Sequence, residues 1–371
     1  MDNQEAKNQA EGSSLSDYEK YIQLALDIGE QRTRSRSGFG AFRHFHSVCR
    51  SSIVLALESG FYSDANRQSR PFNLIDEELF YDFYMRKGHS QPNFRYFFEQ
   101  VLTNPLSFNP SCLWALFWAV AKAEHDFLIR YIPYWSHEER LTGHLVSQLL
   151  TRVEDFEPHW AALDSANQSS DKAHCRIHYV DTATASHEAI TGADLGLIIQ
   201  AQLPRQQEYF KAARFQAKKV SKSGSARIDL DQAEKLIAAK NFGYYLFYHP
   251  YAPNEWSLPP TVSSAVQFTS EVNTSRNSTP KHPGAKLGET SININGGNFD
   301  FATFITFALA DQASEHGVLA STAEEAIRLL TTTNRALPSL SRIMVVTLGA
   351  RATEVDWDRL LIESINHGDV Q

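Results

Sequence analysis

The sequence predicts an α/β protein: a mixed sheet flanked by helices, with an all-α segment ahead of it. Three observations predict it. The run SHEERLTGHLVSQLLTRVEDF (136–156) repeats Leu141, Leu145, Leu149 and Val153 at helical spacing. Strand-length apolar runs follow it: CRIHYVDTATA (175–185), ADLGLIIQ (193–200) and FQAKKV (215–220). A second helical run, DLDQAEKLIAAK (229–240), then leads into the apolar FGYYLFYHP (242–250). The order helix–strand–strand–strand–helix–strand belongs to an α/β sheet rather than to a helix bundle.

Taken in order, residues 1–15 are polar and read as a disordered tail. Residues 16–135 read as a helical domain. Its segment RTRSRSGFGAFRHFH (32–46) interleaves arginines with Phe39, Phe42 and Phe45. That segment reads as a loop entering a helix, or as a basic–aromatic surface for nucleic acid or a partner. Residues 72–135 carry aromatic stripes at helical spacing, broken at Pro105 and Pro110. From 136 onward the α/β domain begins, with its core over 136–250 and an extension over 251–371. Ser136 and Glu139 form a capping box at its first helix. Asp229 or Asp231 caps its second, and Pro250 ends the strand after it. Residues 251–290 read as loop, 299–332 as two helices, and RIMVVTLG (342–349) as a last strand.

Composition bounds the function. A chain of 371 residues with 42% apolar and 12% aromatic residues can bury a large core. A net charge of −8 is not that of a generally basic nucleic-acid binder, although it says nothing of a local groove. Cys49, Cys112 and Cys175 are far apart and form no CxxC, which argues against a disulfide framework or a zinc ribbon and fits a reducing cytoplasm. The polar N-terminus does not read as a signal peptide. The most apolar window (112–132) is broken by Lys122, Glu124, His125 and Asp126, so it reads as a buried helix and no membrane partner is expected. No P-loop, GxGxxG, HExxH or GxSxG motif occurs.

The chemistry concentrates on two runs. In FQAKKV, alternation puts Phe215, Ala217 and Lys219 on one face and Gln216 and Lys218 on the other. If this strand pairs with the one that Asp194 opens, a carboxylate, an amide oxygen and an ammonium can converge at one sheet end. A carboxylate with carbonyl oxygens suits Mg²⁺, and a bound metal can polarise a phosphoryl oxygen and acidify water. Lysine can orient water or offset phosphate charge. The spacing is competent for phosphodiester hydrolysis. Each residue also has an ordinary alternative: Asp194 and Glu139 as caps, Lys218 as a solvated strand residue, Glu188 as loop charge, Gln232 as plain helix.

GAD, a hairpin, FQAKK, then a helix bearing a glutamine and an apolar strand together resemble the PD-(D/E)XK nuclease superfamily. The closest likeness is to its restriction-type, Mrr-like branch, where the motif is often QXK, as at Gln216-Ala217-Lys218. The likeness covers about Glu138 to Tyr248. It implies a restriction-endonuclease-like mixed sheet, an endonuclease activity, and Mg²⁺ or Mn²⁺ as cofactor. It implies Asp194 and Gln216 as metal ligands and Lys218 as the group that positions the nucleophile. Glu188 or Glu139 would complete the site, with Gln232 near it. The expected partner is nucleic acid, DNA ahead of RNA, in bacterial defence against phage or foreign DNA. A regulatory protein docking on the helical half and a homo-oligomer are compatible with this reading. An RNase, or an inactive nuclease fold that binds nucleic acid or a partner, remains the alternative.

Overall fold

The computed structural model describes residues 111–132, 136–166, 174–181, 193–203, 207–250, 259–276, 288–294, 299–331, 340, 342–349 and 355–366. The expected tail at 1–15, the helical reading of residues before 111 and Glu188 lie outside the described residues. Two helices come first, α1 (Ser111–Arg130) and α2 (Glu138–Ala166). Then follow β1 (His174–Asp181), β2 (Leu195–Gln202), β3 (Tyr209–Lys219), β4 (Ser225–Asp229), α3 (Leu230–Ala238) and β5 (Gly243–Tyr248). The remainder holds β6 (Thr261–Ser264), α4 (Thr269–Arg276), β7 (Glu289–Asn293) and β8 (Phe299–Asp300). After these come α5 (Phe301–Thr303), a π-helical turn (Phe304–Leu309), β9 (Val318–Ala320), α6 (Ala323–Thr331), β10 (Arg342–Gly349) and α7 (Trp357–Asn366).

The result is a large mixed sheet flanked by helices. Its strand order is β1-β10-β2-β3-β5-β6-β8, with β9 paired to the first half of β3. β2 and β3 are antiparallel, while β3 and β5 run parallel. β4 and β7 form a separate two-stranded ribbon. One core joins α1, α2 and the 301–309 helix to one sheet face, through residues such as Phe117, Leu145, Leu197 and Phe215. A second joins α3, α6 and α7 to the other face, through Ile198, Leu236, Leu330 and Val345. Leu141, Leu145 and Leu149 of α2 are at most 1% exposed, and each such burial contributes about 1.5–3 kcal/mol. The apolar helix α1 thus shares its core with the sheet. Among the described residues no helix is long and apolar enough to cross a membrane.

Several expectations need correction. Residues 251–290 contain β6 and α4, which TVSS and TSEVNTSR conceal because both elements are short and hold a single apolar residue each, although β6 is buried over Thr261–Ser263. A strand, β4, starts inside SKSGSAR (221–227), where no strand is expected from the sequence. The face of β3 that carries Arg214, Gln216 and Lys218 is polar in kind yet largely covered. Residues 209–217 are all buried, because α3 and α6 cover the face that carries Gln216. β10 lies between β1 and β2, antiparallel to β1 and parallel to β2. The 22-residue step from Asp194 to Gln216 needs no helical insert, since β2 runs to Gln202 and β3 resumes at Tyr209.

Close packing brings the end of α3 onto β5 at Gly243. A Cβ there would lie 2.2 Å from the Leu236 carbonyl oxygen, so no larger residue fits without backbone movement. Asp229 caps α3 by accepting from the Gln232 backbone N–H at 2.9 Å. The α5 N-terminus is capped twice: Asp300 accepts from the Thr303 N–H at 2.9 Å, and Glu124 of α1 accepts from the Ala302 N–H at 3.1 Å. Both carboxyls are fully buried. Burial pushes Asp300 up to about 6 and Glu124 well above the usual carboxylate range, with Asp300 adding to the Glu124 shift.

Raised carboxyl values mean that the folded state holds protons the unfolded state releases. Their stabilising contribution is complete below about pH 4 and is lost as pH rises through 6 and beyond. Thermal unfolding of Glu124→Gln should therefore show a smaller fall in Tm between pH 5 and pH 8 than the wild type, by a few degrees. An identical fall in both proteins would refute this account of the pair.

Candidate active site

The site forms where β2 begins and β3 ends. Leu195 pairs with Phe215, and the Asp194 N–H donates to the Phe215 carbonyl at 2.7 Å, which sets Asp194 opposite Gln216. The amide Nε2 of Gln216 donates to Asp194 Oδ2 at 2.7 Å. The Ala217 backbone N–H donates to the same oxygen at 2.8 Å. Asp194 is 6% exposed and Gln216 is 1% exposed. The other amide atom, Gln216 Oε1, is buried and has no hydrogen-bond partner among the described residues. A buried carbonyl oxygen without a donor costs roughly 1–3 kcal/mol, so a native structure that keeps one calls for an explanation.

Lys218 is half-buried, and its Nζ donates to Gln232 Oε1 on α3 at 3.2 Å. The cap at Asp229 sets the first turn of α3, and that turn carries Gln232 to the lysine. Of the residues expected in the site, Asp194 and Gln216 are in contact. Lys218 and Gln232 pair one step further along the same face. Glu139 is exposed on α2, and its charge acts on Arg342.

The neighbouring Glu138 is the acid that α2 turns toward the sheet end. Its Oε1 accepts from the Lys219 backbone N–H at 3.3 Å, while Lys219 Nζ donates to the Ser136 carbonyl at 3.3 Å. Tyr248 of β5 is hydrogen bonded to Thr142 of α2 at 2.9 Å. Burial raises the Tyr248 pKa, and Asp194 and Glu138 both add to that shift. Glu138 stands one position before Glu139, the acid that the sequence singles out on this helix. A capping-box pattern favours Glu139, but a helix that begins at Glu138 turns the first acid inward.

Arg342 was not singled out from the sequence at all. It opens β10, one residue before the Ile343–Gly196 pair, and donates to Asp181 at 3.2 Å. Burial lowers its pKa, but Asp181, with Tyr179 and Glu139, outweighs that and holds it above the usual arginine range. Only the insertion of β10 beside β2 brings it here, and no local signal carries that information.

A carboxylate with an amide carbonyl oxygen is the kind of donor pair that a hard cation such as Mg²⁺ takes, and Asp194 and Gln216 supply one of each. Among the described residues, no group of three or more His, Cys, Asp or Glu is positioned to hold a metal ion. No family model matches the chain, and no curated protein or solved structure matches it.

Asp194 has a structural task that can be measured apart from any activity. Asp194→Ala removes the acceptor of two buried donors and should cost about 1–3 kcal/mol in urea unfolding. Asp194→Asn keeps one acceptor oxygen and should cost less. Equal stability of Asp194→Ala and wild type would contradict this geometry.

Proposed function

We propose that this chain is a metal-dependent nuclease with a restriction-endonuclease-like core, hydrolysing phosphodiester bonds of DNA in bacterial defence against phage. The observation that carries the reading is the buried Gln216 Oε1, held beside Asp194 without a donor. A divalent cation is the ligand that such an oxygen and a carboxylate together accept. Lys218, two residues further along the same strand face, supplies the fixed positive charge that phosphoryl transfer needs. The GAD…FQAKK pattern and the helix-borne Gln232 support the same assignment.

Asp194 and Gln216 would hold Mg²⁺ or Mn²⁺, with Glu138, which α2 brings to the Lys219 end of β3, as a further acid to add. When bound, the cation offsets charge on the scissile phosphate and acidifies its water. The chain's own part is positional. Asp194 is fixed by the Gln216 amide and the Ala217 N–H. Lys218 is steered by Gln232 to donate to a phosphate oxygen or to the attacking water. The water oxygen bonds to phosphorus, the P–O bond to the leaving oxygen breaks, and that oxygen takes up a proton.

A second reading has a specific observation behind it. Asp194 Oδ2 is already shared by two protein donors, and no cluster of three acids surrounds it among the described residues. A fold that binds nucleic acid without cutting it would need no more than that.

The test is cleavage of supercoiled plasmid and of labelled RNA, with Mg²⁺ or Mn²⁺ against EDTA. Lys218→Ala and Asp194→Asn should each lower metal-dependent DNA cleavage by about 100-fold or more. The wild-type Tm should rise on adding Mn²⁺, and Gln216→Leu should abolish that rise. Cutting of RNA alone would make the chain an RNase. Cutting that survives both substitutions would move the site elsewhere. Nucleic-acid binding without cutting would favour the second reading.

A further inference from the structure

The turn that follows Lys218 has no role in the chemistry above, yet it is the most one-sided stretch of charge in the described structure. From Ala217 to Ile228 the chain carries Lys218, Lys219, Lys222 and Arg227 and no acid, within a protein of net charge −8. Lys222 and Arg227 are exposed. The turn is tightly built. The Ser221 hydroxyl lies 2.8 Å from that of Ser223 and 2.9 Å from that of Ser225, Gly224 takes a φ of +78°, and the Ser221 N–H donates to the Ser225 carbonyl at 2.7 Å. Three interlinked hydroxyls can turn their protons toward an arriving anion, since each is both donor and acceptor.

Beyond the turn, β4 pairs with β7 as a ribbon whose two faces differ. Ala226, Ile228 and Ile292 are buried beneath it. Ser225 pairs with Asn293 and Arg227 with Ser291 on the outward face. Arg227, Ser291 and Asn293 are exposed, while Ser225 is half-buried. The acids of that face, Asp229 and Glu289, stand together at the end away from the turn, and Asp229 is occupied as the α3 cap. The ribbon is anchored to the site strand by the Val220–Ala226 bridge.

We infer that the β4–β7 ribbon and its serine–lysine turn are the duplex-DNA docking element of this protein, with the turn on the phosphate backbone and the ribbon face in the major groove. This rests on the reading that the Lys218 end of the sheet handles nucleic acid. A two-stranded ribbon fits the major groove of B-DNA, whereas the deep, narrow groove of duplex RNA excludes it. Ser221 lies three residues beyond Lys218, about 10 Å at ~3.3 Å per strand residue. The turn therefore grips the strand a few nucleotides from the phosphate that Lys218 faces. Arginine, asparagine and serine on the ribbon are side chains that read base edges in that groove.

The experiment is fluorescence anisotropy with a 25-base-pair duplex, in EDTA, on full-length Asp194→Asn protein across a KCl series. Lys222→Gln and Arg227→Gln should each weaken binding several-fold and flatten the slope of log K against log salt by about 1. Lys240→Gln, an exposed lysine at the other end of β5, should change neither. In the cutting-competent protein the same two substitutions should raise KM with little change in kcat. An unchanged salt slope in the Lys222→Gln, Arg227→Gln double variant overturns the proposal. So does an absence of duplex binding, or tighter binding of single-stranded or duplex RNA. Ribbon-dependent duplex binding by a protein that never cuts would sustain the docking element and remove only the nuclease reading.

Discussion

The antiparallel ladder between β2 and β3 governs where every polar group of the site stands. Side chains alternate along a strand, so a one-residue slip would carry Gln216 and Lys218 to the α2 face and bring Ala217 and Lys219 under α3. Burial on both faces forbids that slip. Phe215 is packed within one core while Ala212 is packed in the other, and neither face tolerates the other's residues. The hydrogen bond from the Asp194 N–H to the Phe215 carbonyl is the last rung of this ladder, and the carboxylate contacts begin one step beyond it.

A buried Asp–Gln pair is a costly thing to keep in a sheet. Leucine and valine would pack there without desolvating a carboxylate. The cost is reduced by two short hydrogen bonds to one oxygen, and it is left uncompensated at Gln216 Oε1. Polar groups buried under such strain, at the end of a strand and beside a lysine, mark a place shaped by something other than stability. The Glu124–Asp300 pair shows the contrasting arrangement. Its carboxyls cap a helix deep within the protein, beneath the sheet face that α1 covers.

Much of this was legible in the sequence because it is local. β2, β5 and β10 are apolar runs of strand length, the second half of β3 shows its alternation, and Asp229 announces α3 through its cap. The opposition of Asp194 and Gln216 follows from pairing two consecutive runs. What was not legible is non-local or a matter of phase. Whether Glu138 or Glu139 faces inward depends on where α2 takes its first turn, a single-residue question. The short, polar β6, β4 and β7 carry weak strand signals because each owes its form to a neighbour. Arg342 could be found only by knowing that β10 enters the sheet between β1 and β2.

That insertion has a consequence for the order in which the protein can assemble. β1 and β2 are separated in the sheet by a strand that follows them by about 150 residues, so no hairpin of nearby residues can close this side of the sheet. Until residues 342–349 arrive, β1 lacks the only partner it has in the described sheet, and the inner edge of β2 stays open. Loop closure on this scale is slow and leaves unpaired edges exposed meanwhile. The same delay holds back Arg342 from the sheet end where Asp194 waits. A chain emerging from its N-terminus would thus carry Asp194, Gln216 and Lys218 early, yet complete the sheet around them only after its last strand is made.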